Sequence, residues 1–457
     1  MKNQVKIQFL GAAGTVTGSK YLITTAEKTI MIDCGMFQGL KDLRERNWEP
    51  LPIDVEKIDY VLLTHGHLDH VGYLPRLVKE GFKGDIIATS PTLAVTEIVL
   101  KDSGKIHEED AKRAKEEGFS KHEDPEPFYT VQEAEDTLQY FKSADENDWI
   151  ELSEHIRARF MFNGHIIGAT FIEIDIYGKR FVFSGDIGRS DDILLDSPRK
   201  PEKADYLFIE TTYGNRLHPK EELEEIFEEA IIEAIRNHGN IIVPSFAIER
   251  LQLLMYLLWK MQKENKIPDI SIYVDSPMGN NVIQVFQNFP EWHNLPMGEF
   301  KQMLKNVNIV TSYKETWETI DTNKPKIIIA GSGMVTGGRV LTYLKQLIDE
   351  PETIVMLVGY QAEGTRGRQI LEGAKEIKFF GKYYPVNAKV ESIHSLSAHA
   401  DQSELLDWLS DINNTPTNVF LVHGEPTARD VFRVKLQDVY QWKSYAPKLY
   451  EEIELFV

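Results

Sequence analysis

The 457-residue chain has one cysteine, too few basic residues to balance its acids, and no apolar run near the roughly 20 residues of a membrane span. With Cys34 alone, an intramolecular disulfide is excluded, and a reducing compartment, the cytoplasm, is expected. The opening stretch "MKNQVKIQFLG" lacks the apolar core and cleavage pattern of a secretory leader, so none is expected. Lys and Arg number 51 against 71 Asp and Glu, a net charge of -20. Such a balance argues against loose attraction to nucleic acid and against an anionic membrane as partner. No fixed-period repeat or low-complexity tract occurs. The charge is uneven, however: residues 101–160 hold 9 basic against 17 acidic side chains, and residues 324–382 hold 9 against 6. A polyanion would have to be held locally, against a repulsive background.

What is present is an ordinary α/β composition, 42% apolar and 27% charged, in a length that allows two or three domains. "VKIQFLG", "YLITT", "TIMIDCG" and "DYVLLTH" read as strands ended by tight turns. Leu68, Val71, Leu74, Leu77 and Val78 have helical spacing. Residues 92–147 read as mainly helical and solvated, with the Pro-interrupted "EDPEPF" as a loop. Strands resume at "ARFMFNGH", "FIEIDIYG", "KRFVFSGD" and "DYLFIET". From Tyr213 the pattern changes. An amphipathic helix over 220–236, the strand "NIIVPSF" and a helix through "LQLLMYLLWKMQ" begin an alternation that predicts parallel βαβ units. After about Val386 short strands return.

The densest chemistry is "LLTHGHLDHVGYLPRL". Its apolar strand ends at Thr64 and delivers His65 and His67 two residues apart, so that in extended chain both imidazoles share one face. Asp69 and His70 follow at the start of a helix and can turn towards a second ion. Imidazole and carboxylate are the donors that suit zinc. Further candidates end other apolar runs beside glycine: His165 in "FNGHIIGA", Asp186 in "FSGDIGR" and His423 in "FLVHGEP". Each alone reads as an ordinary turn residue; together they strengthen one another.

In this order and spacing "HGHLDH", "GHIIGA" and "SGDIGR" resemble the ligand motifs of the metallo-β-lactamase fold. The resemblance implies one zinc held by His65, His67 and His165 and another by Asp69, His70 and His423, with Asp186 bridging them. Two Zn2+ ions are therefore expected. Asp33 in "MIDCG" resembles the aspartate that supports such ligands from behind. "FIETTYGN" with Glu210, "SLSAHAD" with His399 and "VHGE" with His423 are similar to motifs A, B and C of the β-CASP nucleases. "PSFAIERLQLL", "DSPMG", "AGSGMVTGGRVLTYL" and "GYQAEGTRGRQILEG" resemble the domain that family inserts between motifs A and B. The nearest likeness is to bacterial and archaeal relatives of the nuclease subunit of the cleavage and polyadenylation specificity factor.

The expected architecture is an αββα metallo-β-lactamase sandwich, residues 1–211 and 386–457, interrupted by a β-CASP domain over 212–385. The expected activity is zinc-dependent hydrolysis of single-stranded RNA, at a site between the two domains, leaving 5′-phosphate and 3′-hydroxyl ends. His399 would protonate the leaving oxygen, Glu210 would orient and charge its ring, and Asp69 completes the catalytic group. Gly-rich turns before helices favour phosphate, which makes Arg250, Ser332, Thr365 and Arg368 the candidate phosphate contacts, with Ser397 near the scissile group. "GAAGTVTGS" reads as a turn near the site floor. A thioester or lactam hydrolase, a DNA nuclease of the same family and an inactive scaffold are the alternatives, and a homodimer stays open.

Overall fold

The computed structural model describes residues 3–117, 125–323 and 325–457. The chain forms two compact units, one running to Leu217 and resuming at His399, the other spanning His218–Ala398.

The first unit is built on two seven-stranded sheets. One runs in the order Glu452–Phe456, Gln4–Phe9, Tyr21–Thr24, Thr29–Ile32, Tyr60–Leu62, Asp85–Thr89, Phe141–Ala144. The other runs Ser444–Tyr445, Asn418–Val422, Tyr206–Glu210, Lys179–Phe183, Thr170–Ile176, Ile156–Phe162, Ile150–Ser153. Strand alternation explains how they meet. In "IRARFMF" Ile156, Ala158 and Phe160 enter the core, while Arg157 and Arg159 point outward to Asp175 and Glu173. Phe9 and Tyr21 from the first sheet pack on Phe183, Phe208 and Phe420 from the second, with ring centroids 5.5–6.3 Å apart. The helices Gln402–Trp408 and Pro426–Tyr440 cover the second sheet through Leu405, Trp408, Phe432 and Leu436. The helix Ser90–Glu117 lies against Asp85–Thr89 and Phe141–Ala144 of the first. This is the αββα arrangement.

Lys179–Phe183, Tyr206–Glu210 and Asn418–Val422 are mutually parallel. Their carboxyl ends therefore open at the same edge, where Asp186 lies three residues past the first strand, Glu210 ends the second and His423 follows the third.

The second unit holds a six-stranded, all-parallel sheet in the order Asn308–Ile309, Ser271–Asp275, Lys326–Ala330, Ile241–Pro244, Ile354–Val358, Lys389–Ile393. "IIVP", "KIIIA" and "IVMLV" are buried at every position, as strands covered on both faces must be. Helices such as Leu223–Asn237, Arg250–Lys263 and Val340–Leu347 supply the cover.

Three segments differ from the reading of the sequence. Lys389–Ile393, grouped there with the returning strands of the first domain, pairs in parallel with Ile354–Val358 of the second unit. The helical spacing after Leu68 is split into Leu68–Val71 and Leu74–Lys79, the second with Pro75 in its first turn, which has no N–H to continue the first. Phe141–Ala144, inside a stretch read as mainly helical, is the edge strand of the first sheet. The "EDPEPF" stretch lies partly outside the described residues.

Candidate metal centre

The turn after Tyr60–Leu62 carries His65, His67, Asp69 and His70, and its backbone is clamped from two sides. Ser19 and Cys34 donate their N–H groups to the carbonyls of Asp69 and His70, at 2.8 and 2.7 Å. The approach is so close that a Cβ at Gly35 would lie 1.6 Å from the Asp69 carbonyl oxygen. Gly185, at φ +55°, packs on Thr64 in the same way. "GAAGTVTGS" does reach this floor, since the His423 N–H donates to the Ala12 carbonyl at 2.8 Å.

The side chains of these turns form two four-residue groups that share the Asp186 carboxylate, which also comes close to Glu210 and His399. In the first, His67 Nδ1 lies 3.1 Å from His65 Nε2 and 3.2 Å from His165 Nε2. Asp186 Oδ2 is 3.5 and 3.6 Å from the His65 and His165 Nε2 atoms. In the second, His423 Nε2 is 3.4 Å from His70 Nε2 and 3.3 Å from Asp69 Oδ2, and Asp186 Oδ1 is 3.3 Å from His70 Nε2. Donors held ~2.1 Å from one tetrahedral ion stand about 3.4 Å apart, so both groups fit a zinc-sized cation. Mutual hydrogen bonding explains them poorly: a single ring N–H on His67 cannot serve two facing nitrogens at once.

The supporting hydrogen bonds orient the rings. Asp33 adopts φ +55°, which turns its carboxylate back under the turn. It accepts from the Thr64 N–H at 2.7 Å and the Thr64 hydroxyl at 2.8 Å, and from His70 Nδ1 at 2.8 Å. That last bond leaves His70 Nε2 facing the second group. Thr64 Oγ1, its proton given to Asp33, accepts from His65 Nδ1 at 3.1 Å and turns Nε2 inward. Thr212 Oγ1 stands 3.2 Å from His423 Nδ1. Burial holds the His65 imidazole well below its usual range and lowers His67 to about 4, so both are neutral donors at pH 7. Burial also opposes the charge of Asp186, but the imidazoles of His423, His70 and His65 outweigh it and hold the carboxyl well below its usual range.

Beside this cluster stands a second pair. Glu210 is fully buried and accepts from the Ile187 N–H at 2.6 Å. His399 Nδ1 lies 3.3 Å from it, with the ring 4.5 Å from that of His165. Burial works against a charged His399, but the adjacent Glu210 carboxylate prevails and raises its pKa. The remaining site candidates lie in the second unit. Thr365 caps the helix Arg366–Leu371, and Arg368 donates to the Gln361 carbonyl at 3.0 Å and to Glu372 at 2.7 Å. Ser332 Oγ accepts from the Thr336 N–H at 3.0 Å, and the Gly367 N–H reaches the Met334 carbonyl, so Ser332, Thr365 and Arg368 gather around one loop junction. Arg250 opens the helix Arg250–Lys263, and both it and Ser397 are buried. Sequence reasoning missed Thr64, Thr212 and Ser19. Only Thr64 carried a signal, as the hydroxyl residue between the apolar strand and the first histidine.

A layered sandwich with paired imidazole–carboxylate groups at the ends of its strands is the frame of a metallo-hydrolase. The Metallo-beta-lactamase superfamily model matches residues 13–226, the Beta-Casp domain model residues 251–370, and the model described as "Zn-dependent metallo-hydrolase RNA specificity domain" residues 383–447. Over 428 residues the chain is 33% identical to a ribonuclease of Thermus thermophilus, covering 92% of this chain and 93% of that one. It is 32% identical over 427 residues to an RNase J-like protein of Methanocaldococcus jannaschii, covering 92% and 93%. The transcription termination factor FttA of the same organism is 27% identical over 461 residues, covering 97% of this chain and 70% of that one. In fold, the chain is similar to a protein of unknown function from Enterococcus faecalis V583, at TM-score 0.55 and 12% identity, covering 99% and 100% of the two chains. The chain belongs to the β-CASP family of the metallo-β-lactamase superfamily.

Proposed function

We propose that this protein is a zinc-dependent ribonuclease that hydrolyses single-stranded RNA to products with 5′-phosphate and 3′-hydroxyl ends. The observation that carries the reading is the sharing of Asp186 between two donor groups next to the Glu210–His399 pair. The likeness to a protein named ribonuclease over nearly the whole of both chains supports RNA as substrate.

His65, His67, His165 and Asp186 would hold one zinc, and Asp69, His70, His423 and Asp186 the other. Zinc bound there supplies Lewis acidity towards a phosphoryl group and lowers the pKa of water within its reach. The chain's own groups move the protons. As water oxygen bonds to phosphorus and the P–O3′ bond breaks, His399 Nε2 gives its proton to the departing 3′-oxygen. Glu210 keeps the ring charged until then. Asp69, with its side chain 18% exposed against 2% for Asp186, takes up the proton that water loses.

RNA labelled at either end should give 5′-phosphate and 3′-hydroxyl products, and a DNA oligomer of the same sequence should be cut more slowly. A 2′,3′-cyclic phosphate would instead mean attack by the ribose hydroxyl. Equal cutting of DNA would remove RNA as the preferred substrate.

A further inference from the structure

The second unit carries an exposed feature for which the proposed chemistry has no use. Glu376–Phe379 and Lys382–Pro385 form a two-stranded hairpin apart from the parallel sheet. Its turn, Phe380–Gly381, has positive φ at both residues, 47° and 80°. Two-residue hairpin turns of this kind favour Asn-Gly or Asp-Gly, and a phenylalanine at the first position is strained. Burial does not compensate. Phe380 is 45% exposed, with Lys345 Nζ 5.9 Å from its ring centre.

The two faces of the hairpin differ. Ile377 and Phe379 are buried in the core beneath, joined by Tyr384. On the outer face Lys378 is paired across the ladder with Tyr383, which is 63% exposed and has the ammonium 5.6 Å from its ring centre. Arg366 anchors the hairpin, donating to the Lys378 carbonyl at 2.7 Å and to the Thr336 carbonyl at 3.1 Å.

Charge separates this patch from a similar group in the first unit. There, the guanidinium groups of Arg157, Arg159 and Arg180 lie 4.3–4.8 Å from the Trp149 ring centre, but Asp175 and Glu173 neutralise them. That cluster is satisfied within the fold. Around the hairpin, residues 366–389 hold six Lys/Arg against two Asp/Glu in a chain of net charge -20. Lys389 is paired with Glu233 and Glu391, but Lys345, Lys375, Lys378 and Lys382 make no ion pair among the described residues.

We infer that the tip of this hairpin, where Lys378, Phe380, Lys382 and Tyr383 are all exposed, is a second binding site for single-stranded RNA, built from residues of the second unit and not from the metal ligands. Bases stack on Phe380 and Tyr383, and neighbouring phosphates meet Lys378 and Lys382. Alternating rings and unneutralised ammonium groups match a strand that alternates base faces and phosphates. A duplex would hide those faces. The site rests on the ribonuclease reading and adds a grip on long substrates.

The test uses the zinc-loaded full chain, with anisotropy of a labelled single-stranded RNA of about 30 nucleotides and cleavage of that RNA and of a short oligomer. Phe380→Asn puts a residue suited to positive φ at the turn, so thermal stability should hold or rise. RNA affinity should nonetheless fall about tenfold, the loss of one stacked base. Tyr383→Ala should fall comparably. Lys378→Ala with Lys382→Ala should lower the slope of log Kd against log salt by about 1.4, or ~0.7 per phosphate contact. Cleavage of the short oligomer should keep its rate in all variants. Unchanged affinity and salt slope in every variant, while the wild type still cuts RNA, would overturn the hairpin site and leave a protein as its partner. A wild type that neither binds nor cuts RNA would remove the ribonuclease reading as well.

Discussion

Replacing Glu210 by Gln keeps the shape of the buried side chain and removes its charge. The carboxylate stands 3.3 Å from His399 Nδ1. At an effective dielectric constant of about 20, that separation corresponds to roughly 5 kcal/mol of attraction for a charged ring, as a ceiling. General acid catalysis contributes ~10²–10⁴ in rate, about 3–5 kcal/mol. The two magnitudes are alike, so Glu210→Gln should lose most of what His399→Ala loses. The double variant should be little worse than His399→Ala alone, because the residues act as one unit. Single-turnover cleavage of labelled RNA measures this, with metal content checked in each variant. A nucleoside 5′-p-nitrophenyl phosphate sharpens it, since p-nitrophenolate leaves without a proton. His399→Ala should be far less impaired on that ester than on RNA. Equal impairment on both substrates, or additive losses in the double variant, would refute the assignment.

Other outcomes follow from the packing around the centre. Gly35→Ala would place a methyl 1.6 Å from the Asp69 carbonyl oxygen, so thermal denaturation should show a loss of several kcal/mol; an unchanged Tm would mean that the turn yields freely. Thr64→Val removes the hydroxyl that joins Asp33 to His65, and zinc affinity should fall about 10- to 100-fold by competition with a chelator. Unchanged affinity would show that the ligands orient themselves. Burial lowers Lys20 to about 8, below its unfolded value. The unfolded chain therefore binds more protons between pH 8 and about 10.4, and the cost of burying the charge, up to roughly 3 kcal/mol, is relieved as pH rises through that window. Lys20→Met should be more stable than wild type at pH 7 and lose that advantage by pH 10, as followed by denaturant melts. An equal difference at both pH values would contradict the burial argument.

The parts of the centre legible in the sequence are those whose meaning is local. "HGHLDH" places four donors in six residues at a strand end, and the 2-residue spacing of His65 and His67 already gives them one face. Asp186 and His423 also follow apolar runs, and the parallel order of their strands brings the run ends to one edge. Of the groups that hold the donors, Asp33 was legible and the rest were not. Ser19, Gly35 and Thr212 lie in stretches that stand out, but they act through contacts with segments far apart in the chain, which local sequence does not give. The same limit explains Lys389–Ile393. Its composition suits either unit, and only its pairing with Ile354–Val358 assigns it to the second. In the helix predicted after Leu68, the spacing was right, but Pro75 decided that two short helices form.

The most direct test of the central claim is a titration of metal-free protein with zinc, read as the rate of cleavage of 5′-labelled single-stranded RNA. Activity should rise to a break at two zinc ions per chain, one for each of the two four-residue groups that share Asp186, and Asp186→Ala should stay inactive throughout. Full activity in the metal-free protein with a chelator present would contradict it.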